Sequence, residues 1–480
     1  MGRILKRSNV RKTVNYIKKN GISHAYYAAR ERIEEEKKDN YIYRRPTEET
    51  LRAQWKETAD YPYLFSIVVP AYETKEEYLR EMIDSVRGQS YRKWELIIAD
   101  AGSSDSVARV VQEIMKETGD ARMKYRRLTE NKGISGNTNA GIDLAAGDYI
   151  ALLDHDDFIT PDALYYMARK IHESAKHHMT PALIYSDEDK YDQTAQRYVS
   201  PHRKQEFNLD LILSNNYICH FMAVEAGLMK RLKLRGEYDG AQDYDLVLQV
   251  VDSLYRQAAA EKRHDPGLWQ EAIAHIPHIL YHWRCHADST AENTASKTYA
   301  YEAGKAALTA FCEKQGWNVA VEHSLHLGFY DISYLPDILT VRKDVGIVGG
   351  RILDRHRRIC AGAYGDHGEC LFEGLHKEYS GGAAHKAVLK QDCAAVDIRC
   401  MQLRTELQPV FTQITGLPYQ EKRIRVKTKH GLQDVRIADV SGLNCDEAGY
   451  RKLSLELGQA AAKLKYRVLW NPALTISGDR

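Results

Sequence analysis

The sequence lacks any apolar run long enough to cross a membrane. Its longest runs, Phe65–Pro70 and Ile150–Leu153, have the length of a β-strand, whereas a spanning helix needs about 20 residues. The N-terminal segment MGRILKRSNVRK has no apolar core of the secretory type, and Lys6 stands where a myristoylation signal has Ser or Thr. We therefore predict a cytoplasmic protein.

The sequence also lacks paired cysteines. All eight cysteines lie at or after Cys219, no CxxC pair occurs, and the closest two, Cys393 and Cys400, have a spacing that fits no common zinc site. This usage predicts reduced, mostly buried thiols rather than a disulfide framework.

An excess of charge of one sign is missing as well. The chain has 68 Lys and Arg against 66 Asp and Glu, a net charge of +2, which argues against a dedicated nucleic-acid-binding protein. With 44% hydrophobic and 28% charged residues the chain can build packed cores, so a disordered protein is excluded. The length of 480 residues predicts two or three domains.

The charge is unevenly placed at the N-terminus. The first twenty residues contain no acid and seven basic residues: Arg3, Lys6, Arg7, Arg11, Lys12, Lys18 and Lys19. Apolar residues recur among them at near-helical spacing. We predict a basic helical arm over residues 1–60, which either makes peripheral contact with an anionic membrane face or packs on the main domain.

From Phe65 onward, strand and helix patterns alternate. Buried strands are predicted at FSIVVP from Phe65, Trp94–Asp100, Met123–Leu128, Tyr149–Asp154 and Leu183–Asp187, with helices at Lys75–Ser90, from Ser104 or Asp105 to Met115, at Asn139–Ala146 and after Thr160. This alternation predicts an α/β fold with a mostly parallel sheet and helices on both faces. In such sheets, ligands bind beyond the carboxyl ends of the strands.

Acidic residues follow three of these strands: Asp100, the run Asp154-His155-Asp156-Asp157, and the run Asp187-Glu188-Asp189. Carboxylates gathered at one edge repel each other unless a cation lies among them. Hard oxygen ligands suit Mg²⁺ or Mn²⁺, which typically accompany a phosphorylated substrate. The alternative is that these acids cap the helices that follow them.

Seven ordered motifs resemble the family 2 glycosyltransferases, which have the GT-A fold. They are SIVVPAYET (66–74), SVRGQSYRKWELIIADAGSSD (85–105), NKGISGNTNAGIDLAAGDYIALLDHDD (131–157), YSDEDK (185–190), SNNYICHF (214–221), GAQDYDLVLQ (240–249) and HIPHILYHWRCHADST (275–290). The resemblance is greatest to bacterial members that build cell-surface polysaccharides, such as rhamnosyl- and galactosyltransferases.

The resemblance implies a nucleotide-sugar site. Its nucleoside side would be formed by Pro70, Ala71, Tyr72, Glu73 and Asp100, with Asp100 accepting a hydrogen bond from the base. Glu73 stands where the family more often has Asn. Ala101 replaces an Asp of the family's D-D-G-S pattern.

The resemblance also implies metal and catalytic residues. Asp154 and Asp156 match the Asp-x-Asp that holds a divalent metal, with Asp156 the first choice for direct ligation and His286 a further ligand. Asp154, Asp157 and Arg284 would lie against the nucleotide-sugar, with Arg284 near the diphosphate. Asp243 would be the general base that deprotonates the acceptor hydroxyl, and Asp245 a structural neighbour.

The last third of the chain contains no Asp-x-Asp after any predicted strand. We predict a GT-A catalytic domain over residues 61–328. Residues 329–480 faintly resemble a second family 2 domain, and we predict there a degenerate, non-catalytic α/β domain that packs on the first, forms a homodimer or binds acceptor. The predicted function is inverting, Mg²⁺- or Mn²⁺-dependent transfer from a nucleoside-diphosphate sugar to a surface-glycan or lipid-linked hydroxyl. The alternative is a non-catalytic scaffold that binds nucleotide or glycan.

Overall fold

The structure is a computed structural model that describes residues 17, 21–34, 40–260, 269–285, 294–382, 384–428 and 431–478. His286 and all but one of the first twenty residues therefore lie outside the described residues. The chain forms two compact units. The larger unit comprises residues 41–207 and 216–316, and the smaller unit comprises the described residues up to Asn40 together with 208–215 and 317–480.

The helices occur along both units. In chain order they are α1 (21–34), α2 (Glu48–Glu57), α3 (Glu76–Arg87), α4 (Ser106–Thr118), α5 (Gly133–Ile142), α6 (Ala163–Ala175), α7 (Leu209–Ile212), α8 (Ala226–Leu232), α9 (Gln242–Ala260), α10 (Thr294–Lys314), α11 (Ile338–Val341), α12 (Gln408–Thr415) and α13 (Glu447–Lys463). No helix within the described residues combines the length and the apolar character that a bilayer span requires.

The larger unit is built on one nine-stranded sheet. Its strands are β1 (Phe65–Ala71), β2 (Trp94–Asp100), β3 (Met123–Arg127), β4 (Tyr149–Leu152), β5 (Phe158–Ile159), β6 (Leu183–Asp192), β7 (Arg197–His202), β8 (Met222–Glu225) and β9 (Ile273–Cys285). The order across the sheet is β3-β2-β1-β4-β8-β6-β9-β5, with β7 beside β6. The pairs β3-β2, β2-β1, β1-β4 and β6-β9 are parallel, and the others are antiparallel.

Burial explains why the first strands form where they do. All seven residues of β2 are buried, and β1 is buried except at Pro70, as expected of parallel strands covered on both faces. Helix α3 buries Leu79, Met82, Ile83 and Val86 at helical spacing against them. The predicted α/β fold is thus confirmed, and the sheet, which was predicted to be mostly parallel, has four parallel and four antiparallel pairings.

Strand β6 departs from the prediction. It was expected to end at Asp187, but it continues to Asp192. Asp187, Glu188 and Asp189 therefore lie inside the strand and not at the edge of the sheet. The long strand β9 pairs with β6 as far as Asp192 and Cys285. Because of this pairing, β6 continues past its polar residues to Asp192.

The smaller unit has its own sheets. Its strands are β10 (Val319–His323), β11 (Tyr330–Tyr334), β12 (Val345–Leu353), β13 (Ile359–Ala361), β14 (Ala363–Tyr364), β15 (Gln391–Asp392), β16 (Ala395–Val396), β17 (Met401–Leu403), β18 (Glu421–Thr428), β19 (Gly431–Ala438) and β20 (Arg467–Ser477). In the five-stranded sheet, β12 pairs with β20 in parallel, and the other three pairings are antiparallel. Its descent from a second glycosyltransferase domain stays a prediction.

Candidate functional site

The carboxyl ends of β1 and β2 lie side by side. Ala71 and Asp100 are register partners in the parallel pair, and the Ala101 N–H donates to the Ala71 carbonyl at 2.9 Å. Ala71 is buried, Pro70 is half-buried, and the Tyr72 ring is 52% exposed. The predicted nucleoside-side residues are therefore adjacent, with Tyr72 offering an exposed aromatic face.

Glu73 fastens the turn that follows β2. One of its carboxylate oxygens accepts from the Ser103 N–H at 2.6 Å and the Ser103 hydroxyl at 2.7 Å, and the other accepts from the Ser104 hydroxyl at 2.8 Å. These hydrogen bonds from Ser103 and Ser104 lower the pKa of Glu73 to about 2. The residue that departs from the family's usual Asn thus joins the two strand ends.

Asp100 is completely buried, and its carboxylate is used inside the protein. It accepts from the Gly102 N–H at 2.8 Å, from the Tyr125 hydroxyl at 2.7 Å and from the Arg127 guanidinium at 2.9 Å. A Cβ at Gly102 would lie 3.0 Å from the Asp100 carboxylate, so this close turn favours glycine. Asp100 orders the Ala101–Ser104 turn, and its predicted contact with a base stays a prediction.

The turn after β4 carries the Asp154–Asp157 run. Asp154 and Asp156 are partly exposed, whereas Asp157 is buried. Asp157 accepts from the Tyr281 hydroxyl through one oxygen and from the Arg284 N–H at 2.7 Å through the other. Burial, with the nearby carboxylates of Asp156 and Asp154, raises the pKa of Asp157 well above its ordinary value.

Arg284 is completely buried on β9. Its Nε donates to the Asp156 carbonyl at 2.6 Å, one terminal nitrogen donates to Gln193 at 2.5 Å, and the other lies 2.6 Å from Glu81. The guanidinium also lies over the rings of Tyr78 and Phe158. Arg284 thus holds the Asp154–Asp157 turn, and its predicted contact with a diphosphate stays a prediction.

The acids of β6 are all engaged within the protein. Asp187 lies 2.8 Å from His275, Glu188 lies 3.4 Å from Lys204, and Asp189 lies 2.6 Å from His282. Tyr41 also donates to Asp189 at 2.6 Å. The third acidic strand end expected from the sequence is therefore a set of buried acids paired with His275, Lys204 and His282 inside the protein.

Asp243 lies in the first turn of α9. Before this helix, Gly240 adopts a φ of +93°, and its N–H donates to Gln242 Oε1 at 2.8 Å. A side chain at Gly240 would collide with the Tyr299 ring, so the entry to the helix requires glycine. Burial, reinforced by Asp154 and opposed by His220, raises the pKa of Asp243 to about 6.

Asp245, two residues further on, has a different environment. It is completely buried and pairs with Arg235, whose Nε donates to it at 2.9 Å. Gln249 donates to the same carboxylate at 2.9 Å. These contacts agree with the prediction that Asp245 has a structural role.

Residues 66–232 match the family model described as glycosyl transferase family 2. The chain carries a family 2 glycosyltransferase domain. It is 38% identical over 249 residues to the uncharacterized protein y4gI of Sinorhizobium fredii, covering 51% of this chain and 25% of that protein. It is 29% identical to the O-antigen biosynthesis protein RfbC of Myxococcus xanthus, covering 54% and 19%.

Solved structures similar to part of this chain include Staphylococcus aureus TarS in complex with UDP-GlcNAc. The identity is 16%, the TM-score is 0.37, and the match covers 51% of this chain and 65% of that one. The chain spans about a quarter of the y4gI protein and about a fifth of RfbC.

Two residues near the Asp154–Asp157 turn, His220 and Tyr281, were not predicted from the sequence. His220 precedes β8, with its Nε2 3.9 Å from an Asp154 oxygen, and it stacks on the Tyr281 ring at 4.8 Å. Burial would lower the pKa of His220, but Cys219, Asp154 and Asp243 raise it well above its ordinary value. His220 lies in the motif SNNYICHF and Tyr281 in the motif HIPHILYHWRCHADST. Their contacts with Asp154 and Asp157 form only in the folded chain.

Proposed function

We propose that the protein is an inverting glycosyltransferase that moves a sugar from a nucleoside-diphosphate sugar to an acceptor hydroxyl. The observation that carries the proposal is Asp243, a half-buried carboxylate with a pKa of about 6 in the first turn of α9. Burial and Asp154 raise the pKa of Asp243, and His220 lowers it. Asp243 therefore interacts electrostatically with the Asp154–Asp157 turn. A general base works best when its pKa lies near the operating pH.

In the proposed reaction, Asp243 accepts the proton of the acceptor hydroxyl. The oxygen attacks the anomeric carbon as the bond to the nucleoside diphosphate breaks, so that the configuration inverts. The nucleoside would lie against the ends of β1 and β2, where Tyr72 is exposed and Glu73 holds the serines of the next turn. Asp100 supports the site by ordering that turn through Gly102.

The residues of the Asp154–Asp157 turn fit a divalent metal. Asp154 and Asp156 supply partly exposed carboxylates within one turn, and hard oxygen donors suit Mg²⁺ or Mn²⁺. Burial and then the nearby carboxylates of Asp156 and Asp154 raise the pKa of Asp157, and a cation would relieve the repulsion between these carboxylates. When bound, the metal would stabilise negative charge on the departing diphosphate. Asp157, Tyr281 and Arg284 hold the turn in place, and His286 is proposed as a further ligand.

The proposed acceptor is a growing surface glycan or a lipid-linked glycan. The transfer is proposed to take place on the cytoplasmic side of the membrane. The name of the relative RfbC, an O-antigen biosynthesis protein, supports this class. The basic arm is proposed to make peripheral contact with the inner face of the membrane, and a homodimer through the smaller unit stays part of the proposal.

The test is a screen of nucleoside-diphosphate sugars for release of nucleoside diphosphate with Mg²⁺ or Mn²⁺. Asp243→Asn should keep donor binding and lose transfer by about 10²- to 10⁴-fold. The matched control is Asp60→Asn, because Asp60 is exposed and outside the site. If Asp243→Asn transfers at the wild-type rate, Asp243 is not the base. Metal-independent nucleotide binding without turnover of any donor would favour the scaffold function instead.

A further inference from the structure

A thiol, an imidazole and a carboxylate meet beside the Asp154–Asp157 turn. Cys219, His220 and Asp243 each offer one donor atom, and these atoms all lie within 4.8 Å of one another. All three side chains are half-buried, so an ion from solvent can reach them. In the described part of the chain no other group of three or more such residues approaches so closely.

Local contacts fix the positions of Cys219 and His220. The Cys219 N–H donates to Asn216 Oδ1 at 3.2 Å, and Cys219 adopts a φ of +37°, a conformation that costs a non-glycine residue about 1–2 kcal/mol. The His220 ring stacks on Tyr281 with an interplanar angle of 22°.

The donor set differs in chemistry from the Asp154 and Asp156 carboxylates. Thiolate and imidazole ligands select Zn²⁺ and similar soft or borderline ions, whereas Mg²⁺ and Mn²⁺ prefer oxygen. Three protein ligands with a fourth position left for water are typical of accessible zinc sites. This ligand set could not be predicted from the sequence, because Asp243 is distant in the chain from the adjacent residues Cys219 and His220.

From this geometry we infer that Cys219, His220 and Asp243 bind Zn²⁺ or another thiophilic divalent cation, and that this binding inhibits the enzyme. On binding, the Cys219 thiol releases its proton to solvent, a sulfur–metal bond forms, and no group is oxidised or reduced. Inhibition rests on the proposed function: a metal on the Asp243 carboxylate takes the lone pair that would accept the acceptor's proton.

Binding is tested on the full chain, stripped of metal, with Co²⁺ as the probe. Thiolate ligation gives a sulfur-to-cobalt charge-transfer band in the near ultraviolet, so the readout needs no turnover. We expect one thiolate-bound Co²⁺ per chain, displaced from this site by stoichiometric Zn²⁺ but not by a large excess of Mg²⁺. The band should vanish in Cys219→Ser and persist in Cys445→Ser, a half-buried cysteine of the smaller unit.

A second pair of variants guards against a folding defect in Cys219→Ser. His220→Gln and Asp243→Asn should each weaken Zn²⁺ binding at least about tenfold, the loss seen even when a group that only supports a ligand is removed. A cobalt band that survives in Cys219→Ser, or Zn²⁺ affinity unchanged in all three variants, would overturn the site.

Transfer assays then separate this inference from the proposed function. With Mn²⁺ present, Zn²⁺ should inhibit wild-type transfer over the same concentration range in which it displaces Co²⁺. A cobalt band without inhibition would support the metal site and overturn Asp243 as the base. Inhibition by Zn²⁺ without any cysteine-dependent band would overturn the site and leave the base assignment standing.

Discussion

The Arg284 side chain is hydrogen-bonded to the backbone of Asp156: the guanidinium Nε donates to the Asp156 carbonyl oxygen at 2.6 Å. The bond joins β9 to the turn after β4 and leaves the Asp156 carboxylate out of the contact. Arg284, which the family resemblance assigns to the diphosphate, thus also shapes the turn that carries the acids.

Arg284→Met should therefore loosen the turn and weaken binding of the metal and the nucleotide together. Because the guanidinium is completely buried among its partners, we expect the free energy of unfolding to fall by about 3 kcal/mol. Denaturant unfolding and nucleotide titrations measure the two effects. Arg126→Met, on an exposed side chain of β3, is the control and should stay within about 0.5 kcal/mol. Weaker nucleotide binding with unchanged stability would instead make Arg284 a phosphate ligand.

Glu73→Gln tests the link between β1 and the turn after β2. The folded pKa of Glu73, about 2, lies below the ordinary value, so its carboxylate stabilises the fold above about pH 4.5 and stops doing so as the pH falls toward 2. The melting temperature of the variant should lie below wild type at pH 7, and the two should converge on acidification. Glu117→Gln, at an exposed helix position, should show no such convergence. A gap that stays constant with pH would mean that the hydrogen bonds from the serines do not depend on the charge.

The pKa of Asp243 predicts opposite effects on activity and on stability. With a folded pKa of about 6, the base becomes protonated below this pH, and kcat/KM should fall about tenfold per pH unit. Because the pKa is raised on folding, ionisation costs stability as the pH rises from about 4 to 6. Asp243→Asn removes that cost and should be more stable than wild type by about 3 kcal/mol at pH 8, with no gain near pH 4. A variant that is less stable at pH 8 would indicate that the carboxylate is structural.

The sequence was sufficient where burial and chain order alone decide the structure. Strand β2 was predicted at Trp94–Asp100 and is found there, because a short, mostly apolar run that ends in an acid is typical of a buried parallel strand. The run Asp187-Glu188-Asp189 misled the prediction, since its partners come from distant segments, such as His275 on β9. The contact of His220 with Asp154 is equally long-range, and no local pattern of charge or spacing signals it.

A buried ion network fixes the segment 208–215 within the smaller unit. Asp210 is 2% exposed and lies 3.0 Å from Arg342 and 2.9 Å from Arg467, both of which come much later in the chain. Removing one partner of a buried pair typically costs about 3–5 kcal/mol, because the remaining charge loses its compensation without regaining water.

Arg342→Met should therefore lower the free energy of unfolding by about that amount, as measured by denaturant unfolding of the full chain. Arg425→Met, which breaks an exposed pair with Asp434, should cost less than about 1 kcal/mol. Adding Asp210→Asn to Arg342→Met should restore part of that loss, since the buried charge that lost a partner is then gone. If Arg342→Met unfolds as wild type does, the ion pair contributes nothing to the stability of the smaller unit.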